Sequence, residues 1–116
     1  MPYTLDKKDD LMVFNIKGFF AAEDIKEIIN IFDQMIKEDK KKKFLLDFSE
    51  DIEYNEQAVK MAYQRLNKGF PKDVKISLVL AKKGKLNQIL SMISYTMPQN
   101  TKFFENVTDA ENWLNS

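Results

Sequence analysis

The chain contains no cysteine and no histidine. Without cysteine it has no disulfides, thiolate zinc ligands or thiol nucleophile, and without histidine it lacks the commonest general base and metal ligand. Most hydrolase and metalloenzyme mechanisms therefore lose their usual side chains. The sequence predicts a protein that is not an enzyme and that has no cofactor and no metal site.

An excess of charge of one sign is also missing. Lysine plus arginine total 18, aspartate plus glutamate total 18, and the formal net charge is zero at pH 7. A chain without a net field is not drawn to nucleic acid or to an anionic membrane surface. We therefore expect no nucleic-acid partner.

Long apolar runs are absent as well. No segment approaches the roughly 18 consecutive apolar residues of a membrane-spanning helix. Charged residues between Asp6 and Asp10 come before any apolar run, which argues against a signal peptide. The sequence predicts no membrane span and a cytoplasmic location.

The composition that remains is that of an ordinary globular protein, with 44% hydrophobic and 31% charged residues. A chain of 116 residues buries one core but is too short for two. No linker, internal repeat or low-complexity segment divides it. Residues 1–116 are therefore predicted to form a single domain.

Apolar residues at the spacing of one helix face predict four helices. They are expected over Glu23–Lys37, from the cap residue Asn55 to Gly69, from Leu86 to Pro98 with Ile89 on the buried face, and after Thr108, which has capping-box spacing to Glu111.

The remaining apolar runs predict strands. A hairpin pairs residues 3–5 with 11–16 through the polar turn 6–10, and a last short strand includes Phe103 and Phe104. Phe44–Phe48 and Val74–Leu80 are apolar on both faces, which predicts two neighbouring strands at the sheet centre. The order β-β-α-β-α-β-α-β-α indicates an α/β fold, with helices packed on a mixed, mostly parallel sheet.

This order of elements and three segments of the sequence resemble the STAS domain of bacterial anti-sigma factor antagonists and their SpoIIAA-like, STAS/SEC14-type relatives. The segments are Asp47-Phe48-Ser49, the amphipathic helix after Asn55, and the C-terminal stretch Phe103–Leu114, which ends in Trp-Leu. The resemblance covers nearly the whole chain. It implies a STAS-like, SpoIIAA-like single domain and a non-catalytic regulatory protein whose partner is an anti-sigma factor or a kinase-like regulator.

In phosphorylation-regulated members of that family, a serine at the start of the second helix is the phosphoacceptor. Counting without gaps from Asp47-Phe48-Ser49 places Asn55-Glu56-Gln57-Ala58 at the corresponding motif, which has no hydroxyl. A permanent carboxylate cannot be switched by a kinase. The resemblance therefore implies a binder that does not depend on phosphorylation.

The junction between the central strand and the second helix is the candidate partner-binding site. A helix N-terminus presents unpaired backbone N–H groups and the positive end of the helix dipole. We predict that a protein partner docks on Tyr54, Asn55, Glu56, Gln57 and Lys60.

Two further features of this junction have alternative interpretations. Ser49 is the nearest hydroxyl and a candidate modification site, but serine at a strand end commonly bonds the turn backbone. The acids Glu50, Asp51, Glu53 and Glu56 lack calcium-loop spacing, which favours a solvated loop over a metal site. The same acids are suited to complement a basic partner surface.

The alternative function is a SEC14-related module that binds a small apolar ligand or lipid. Its cleft would lie near Phe19, Phe20 and Phe70, the aromatic residues of two predicted loops. Loop phenylalanines also commonly fold back onto the core.

Overall fold

The computed structural model describes residues 3–8, 10–39, 42–49, 53–80, 88–89, 92, 96–98 and 100–116, with only the backbone described at positions 8, 20 and 39. The strands are β1 (Tyr3–Lys8), β2 (Leu11–Ile16), β3 (Phe19–Phe20), β4 (Lys43–Phe48), β5 (Glu53–Tyr54), β6 (Lys75–Leu80) and β7 (Thr101–Phe104). The helices are α1 (Ala22–Gln34), which continues as the π-helical segment Met35–Asp39, α2 (Glu56–Lys68) and α3 (Val107–Leu114).

Five strands form the main sheet in the order β1-β2-β4-β6-β7. β1 pairs with β2 in antiparallel orientation, and the other three pairs are parallel. The prediction that Phe44–Phe48 and Val74–Leu80 are central neighbours is confirmed, because β4 and β6 pair with each other and each has another strand on its far side. The predicted mixed, mostly parallel α/β sheet is confirmed as well.

Alternate residues of the central strands enter two separate apolar clusters. Phe14, Phe44 and Leu78 face one way and pack with α1 and α2 through residues such as Ile28 and Leu66. The intervening residues face the other way and pack with α3; they are Leu11, Val13, Leu45 and Val79. The sheet therefore has helices on both faces, as its doubly apolar central strands require.

Parallel pairing makes each helix begin at the same edge of the sheet. α1, α2 and α3 all lie C-terminal to strands that run in one direction, so their N-termini lie near the carboxyl ends of those strands. The short connections between strands and helices keep the helix N-termini at this edge of the sheet. At Gly18, which follows β2, φ is +70°, a value that glycine adopts without the strain that a side chain would add.

Three predicted details are wrong. Phe19 and Phe20 were assigned to a loop, but they form strand β3 because they pair with Glu53 and Tyr54. β1 continues to Lys8, so Asp6, Lys7 and Lys8 belong to the strand rather than to the turn; at the sheet edge, charged side chains remain in water. The cap of α3 is Asn106 rather than Thr108, because the Asn106 Oδ1 accepts the backbone N–H of Asp109 at 2.8 Å. The cap lies two residues earlier than predicted, so the helix includes Val107, which packs against the apolar cluster under α3.

The predicted helix from Leu86 to Pro98 lies largely outside the described residues. Gln88, Ile89 and Met92 are described and are helical. Among the helices that the structure describes, none has both the length and the apolar character needed to cross a bilayer.

Candidate functional site

The N-terminus of α2 is organised by Asn55. Its backbone is extended, with φ −90° and ψ 138°, and its side-chain Oδ1 accepts the backbone N–H of Gln57 at 2.7 Å. This bond satisfies one of the N–H groups that a helix start leaves unpaired. The predicted cap is therefore present, and it fixes the direction in which α2 leaves the sheet.

The predicted docking residues after Asn55 lie on the exposed side of α2. Glu56, Gln57 and Lys60 are exposed, and Tyr54, which precedes the cap, is half-buried. Glu56 and Lys60 are four residues apart and thus neighbours on the helix surface. Ala58, the last residue of the aligned motif, is fully buried. The exposed side of the first two turns therefore carries an acid, an amide and a cation, with no hydroxyl.

A shallow groove runs beside these residues. It has a volume of about 290 Å³ and is lined by Tyr54, Glu56, Val59, Lys60, Tyr63 and Ile89. The Tyr63 hydroxyl lies 3.4 Å from Thr96 Oγ1, which links α2 to the segment on the far side of the groove. A second hollow on the other side of α2 is lined by Glu56, Gln57, Lys60, Met61 and Gln64.

Three residues of the groove, Val59, Tyr63 and Ile89, were not among the predicted site residues. Ile89 was assigned to an apolar helix face, yet it lines the groove and is 37% exposed. Met92, one helical turn beyond Ile89, is 78% exposed. The apolar periodicity of the sequence could not separate these surface positions from core positions, because both satisfy the same spacing.

A small second sheet brings the Phe19–Phe20 run to the start of α2. β3 and β5 pair in parallel, with Phe19 opposite Glu53 and Phe20 opposite Tyr54. The Glu53 N–H also donates to the Gly18 carbonyl at 3.0 Å. The predicted ligand-cleft residue Phe19 is 55% exposed, and its strand pairs with the strand that contains the predicted docking residue Tyr54.

Phe70 lies elsewhere, at the inner cavity between α1, α2 and the sheet. The centroid of its ring is 6.3 Å from that of Phe32 and 4.2 Å from the Arg65 guanidinium carbon. Arg65 also donates from Nη2 to Asp33 Oδ1 at 2.7 Å. The cavity has a volume of about 50 Å³, and its described lining includes Phe70 and Tyr54 but not Phe19. The side chain of Phe20 lies outside the described residues. The structure thus separates Phe19 from Phe70.

Ser49 is exposed just after β4. Its backbone N–H donates to Asp47 Oδ1 at 2.9 Å, a local turn bond in which the serine hydroxyl takes no part. Residues 50–52 of the acidic loop lie outside the described residues. In the part of the chain that the structure describes, no three acidic side chains converge closely enough to hold a metal ion.

Comparison with known proteins identifies the family. The family model described as SpoIIAA-like matches residues 11–115, and the chain therefore belongs to the SpoIIAA-like family. This confirms the resemblance found in the sequence.

A solved structure shares the fold. It is an uncharacterized protein of the DUF3478 family with a SpoIIAA-like fold from Shewanella loihica PV-4, with 19% identity and a TM-score of 0.64. The alignment covers 97% of this chain and 91% of that one. No curated protein matches the sequence.

Proposed function

We propose that this chain is a non-catalytic regulatory domain that docks a protein partner through Tyr54, Asn55, Glu56, Gln57 and Lys60. The observation that carries the proposal is that Tyr54, Glu56 and Lys60 line one groove beside α2, while Gln57 lines the neighbouring hollow with Glu56 and Lys60. A partner side chain entering the groove would contact apolar walls at Val59 and Tyr63 and a charged rim at Glu56 and Lys60. Apolar centres with polar rims are typical of protein interfaces.

The chemistry of the groove supports binding rather than catalysis. Its polar lining consists of Glu56, Lys60 and two tyrosines, without the histidine or cysteine that most nucleophilic mechanisms use. In this proposal the partner is an anti-sigma factor or a kinase-like regulator. Docking would be independent of phosphorylation, because the motif Asn55–Ala58 contains no hydroxyl.

Site-specific crosslinking tests the docking surface. A photoreactive amino acid at Gln57 should crosslink a protein partner in the source cell, whereas the same residue at Asn67, exposed in the last turn of α2, should not. The crosslinked protein can then be purified and its affinity measured. Equal crosslinking from both positions would contradict the proposal.

The charge of Glu56 gives a second test with the purified partner. Glu56→Lys places a cation at a helix N-terminus and should cost the fold only about 0.3–1 kcal/mol. Partner affinity should fall by more than this loss explains, because like charges would meet in the interface. Equal affinity of the folded wild type and variant would remove this helix from the site.

The inner cavity supports a second candidate function, the binding of a small apolar ligand. Its described lining is almost entirely apolar, with Phe32, Phe70 and Ala62 among the contributors. However, its volume of about 50 Å³ is well below the roughly 150 Å³ of an apolar cavity that binds benzene. A ligand retained through purification and detected by native mass spectrometry would favour this function, particularly if Ala62→Leu abolished retention.

A further inference from the structure

The neutral chain is electrically polarised along its strands. Acidic side chains predominate at the edge where the strands end and the helices begin, here termed the acidic end: Glu23, Asp24, Asp47, Glu53, Glu56, Glu105 and Asp109. Cations predominate at the opposite edge, the basic end: Lys37, Lys42, Lys43, Arg65, Lys68, Lys72, Lys75 and Lys102. Lys17 and Lys60 also lie at the acidic end, and Asp10, Asp33, Glu38 and Asp73 also lie at the basic end, so each end has an excess of one sign rather than a single sign.

Several cations of the basic end have internal partners. Lys42 and Lys43 form ion pairs with Asp73 and Asp10, and Lys75 donates to the Trp113 carbonyl at the end of α3. These contacts stabilise the ends of helices and strands, as cations near helix C-termini do. The basic end thus has a structural use that is visible within the fold.

Phe19 lies at the acidic end, and among the described residues its side chain belongs to neither apolar cluster. More than half of its side chain is exposed, and its neighbour across the β3–β5 pair, Glu53, is exposed too. The strand pairing holds Phe19 opposite Glu53, three residues before α2 begins at Glu56. A large aromatic side chain on a fixed backbone loses little further entropy when a partner buries it, which is typical of interface anchor residues.

We propose that Phe19 is the aromatic anchor of the docking surface and that the partner is a protein with an apolar pocket bordered by lysine or arginine side chains. Those cations would pair with Glu53 and Glu56 while the pocket receives the Phe19 ring. This inference rests on the proposed function and adds to it the anchor and the chemistry of the partner. An anionic membrane is disfavoured, because its headgroups would repel the acidic end.

A peptide of eight alternating lysine and leucine residues provides a probe of this chemistry. In an amide NMR titration it should shift the signals of residues 18–20 and 53–57, and its affinity should fall as salt screens the charges. A matched peptide of alternating glutamate and leucine should bind at least about tenfold more weakly. Equal binding of the two peptides, or shifts centred on the basic end, would overturn the proposal.

Matched variants distinguish a specific contribution of the Phe19 ring from nonspecific hydrophobic binding of the peptide. Phe19→Ala should weaken peptide binding about tenfold, whereas Leu5→Ala, which truncates an exposed leucine on β1, should leave affinity within about twofold. Glu53→Lys should weaken binding to a similar degree, and Glu38→Lys, the same charge change at the other end of the molecule, should not. Phe19→Ala with wild-type affinity would remove Phe19 as the anchor.

The protein crosslinked at Gln57 distinguishes this inference from the proposed function. If Glu56→Lys weakens its binding and Phe19→Ala does not, the α2 surface stands and the anchor is wrong. If neither substitution changes its affinity, both proposals fail. If sedimentation instead finds salt-sensitive self-association that Phe19→Ala abolishes, the occupant is a second copy of the chain and the proposed partner is wrong.

Discussion

Tyr3 is a buried phenol on the edge strand β1, and its environment alters its ionisation. Burial is the main cause that raises its pKa above the ordinary value of 10.0, and a hydrogen bond to Glu27 together with the charges of Glu27 and Asp24 adds to the effect. Each cause opposes the phenolate form. The Tyr3 ring also packs against Phe14 of the core, with centroids 6.3 Å apart, so Tyr3 contributes both a core contact and a titratable hydroxyl.

The raised pKa predicts a loss of stability at alkaline pH. Because the folded-state pKa exceeds the unfolded-state value, the unfolded chain releases its proton first as pH rises. The Tyr3 contribution is therefore complete below about pH 10 and declines as pH rises from there through the folded-state pKa. Urea denaturation between pH 8 and 11.5 should give a steeper decline in unfolding free energy for wild type than for Tyr3→Phe.

Two substitutions on α1 test the cause of this decline. Glu27→Gln removes a named charge and should make the decline shallower, whereas Glu23→Gln, at an exposed acid of the same helix, should leave it unchanged. Identical pH profiles for wild type and Tyr3→Phe would contradict the assignment.

Ser77 presents the opposite case, a buried polar group that lacks a partner. It lies in the middle of β6, and its Oγ has no hydrogen-bond partner among the described residues. Such a group loses its hydration without compensation. Ser77→Ala should therefore leave the free energy of unfolding unchanged or raise it by up to about 1 kcal/mol. The exposed control Ser49→Ala should stay within about 0.5 kcal/mol of wild type; a large loss for Ser77→Ala would reveal an unseen partner.

At the scale of elements, α2 depends on its cap. Asn55→Ala removes the oxygen that accepts the Gln57 N–H and should lower the free energy of unfolding by about 0.5–2 kcal/mol. Asn55→Asp keeps an acceptor and should retain most of the stability. Asn67→Ala, at an exposed position in the last turn of the same helix, should be neutral or slightly stabilising because alanine favours helix. Equal losses of unfolding free energy for Asn55→Ala and Asn67→Ala would contradict the capping role of Asn55.

Arg65 joins α2 to α1 and to the turn that follows. It donates to Asp33 and to the Gly69 carbonyl at 3.1 Å, and its guanidinium covers the Phe70 ring. At Gly69, φ is +86°, which places that carbonyl within reach at the end of α2. The planar guanidinium of arginine can make both hydrogen bonds while it stacks on the ring, whereas the ammonium group of lysine supplies only a point charge. The two helices are therefore held together over the inner cavity by a polar contact as well as by the core.

At the scale of the molecule, phenylalanine stabilises the core at one position and is exposed on the surface at another. Phe44 is fully buried between strands and α1, with its ring 4.5 Å from that of Phe32. Phe44→Ala should cost about 3–5 kcal/mol, a large part of the roughly 5–15 kcal/mol expected for a domain. Phe19→Ala should cost no more than about 0.5 kcal/mol. Urea denaturation of both variants checks this contrast, and comparable losses would show that Phe19 belongs to the core.

The candidate site was only partly predictable. Asn55 could be recognised because a cap is a local interaction between residues two apart in sequence. Glu56, Gln57 and Lys60 followed from their place in the first turns of that helix. Ile89 was assigned to the core, because an apolar residue that lines a groove has the same spacing in the sequence as one that is buried in the core. Phe19 and Phe70 were grouped as aromatic loop residues, and the fold places one on the surface and the other at the inner cavity.

The sequence by itself determined the properties that depend on near neighbours: roughly where the three helices and the five strands of the main sheet lie, and which two strands are apolar on both faces and must be central. Only the tertiary structure decided that Phe19 pairs with Glu53, and therefore that an exposed aromatic residue lies on a strand paired with the segment that leads into α2. Parallel pairing between segments more than thirty residues apart depends on how the main sheet positions their backbones. No local periodicity encodes that contact, because it exists only once the strands on either side have packed.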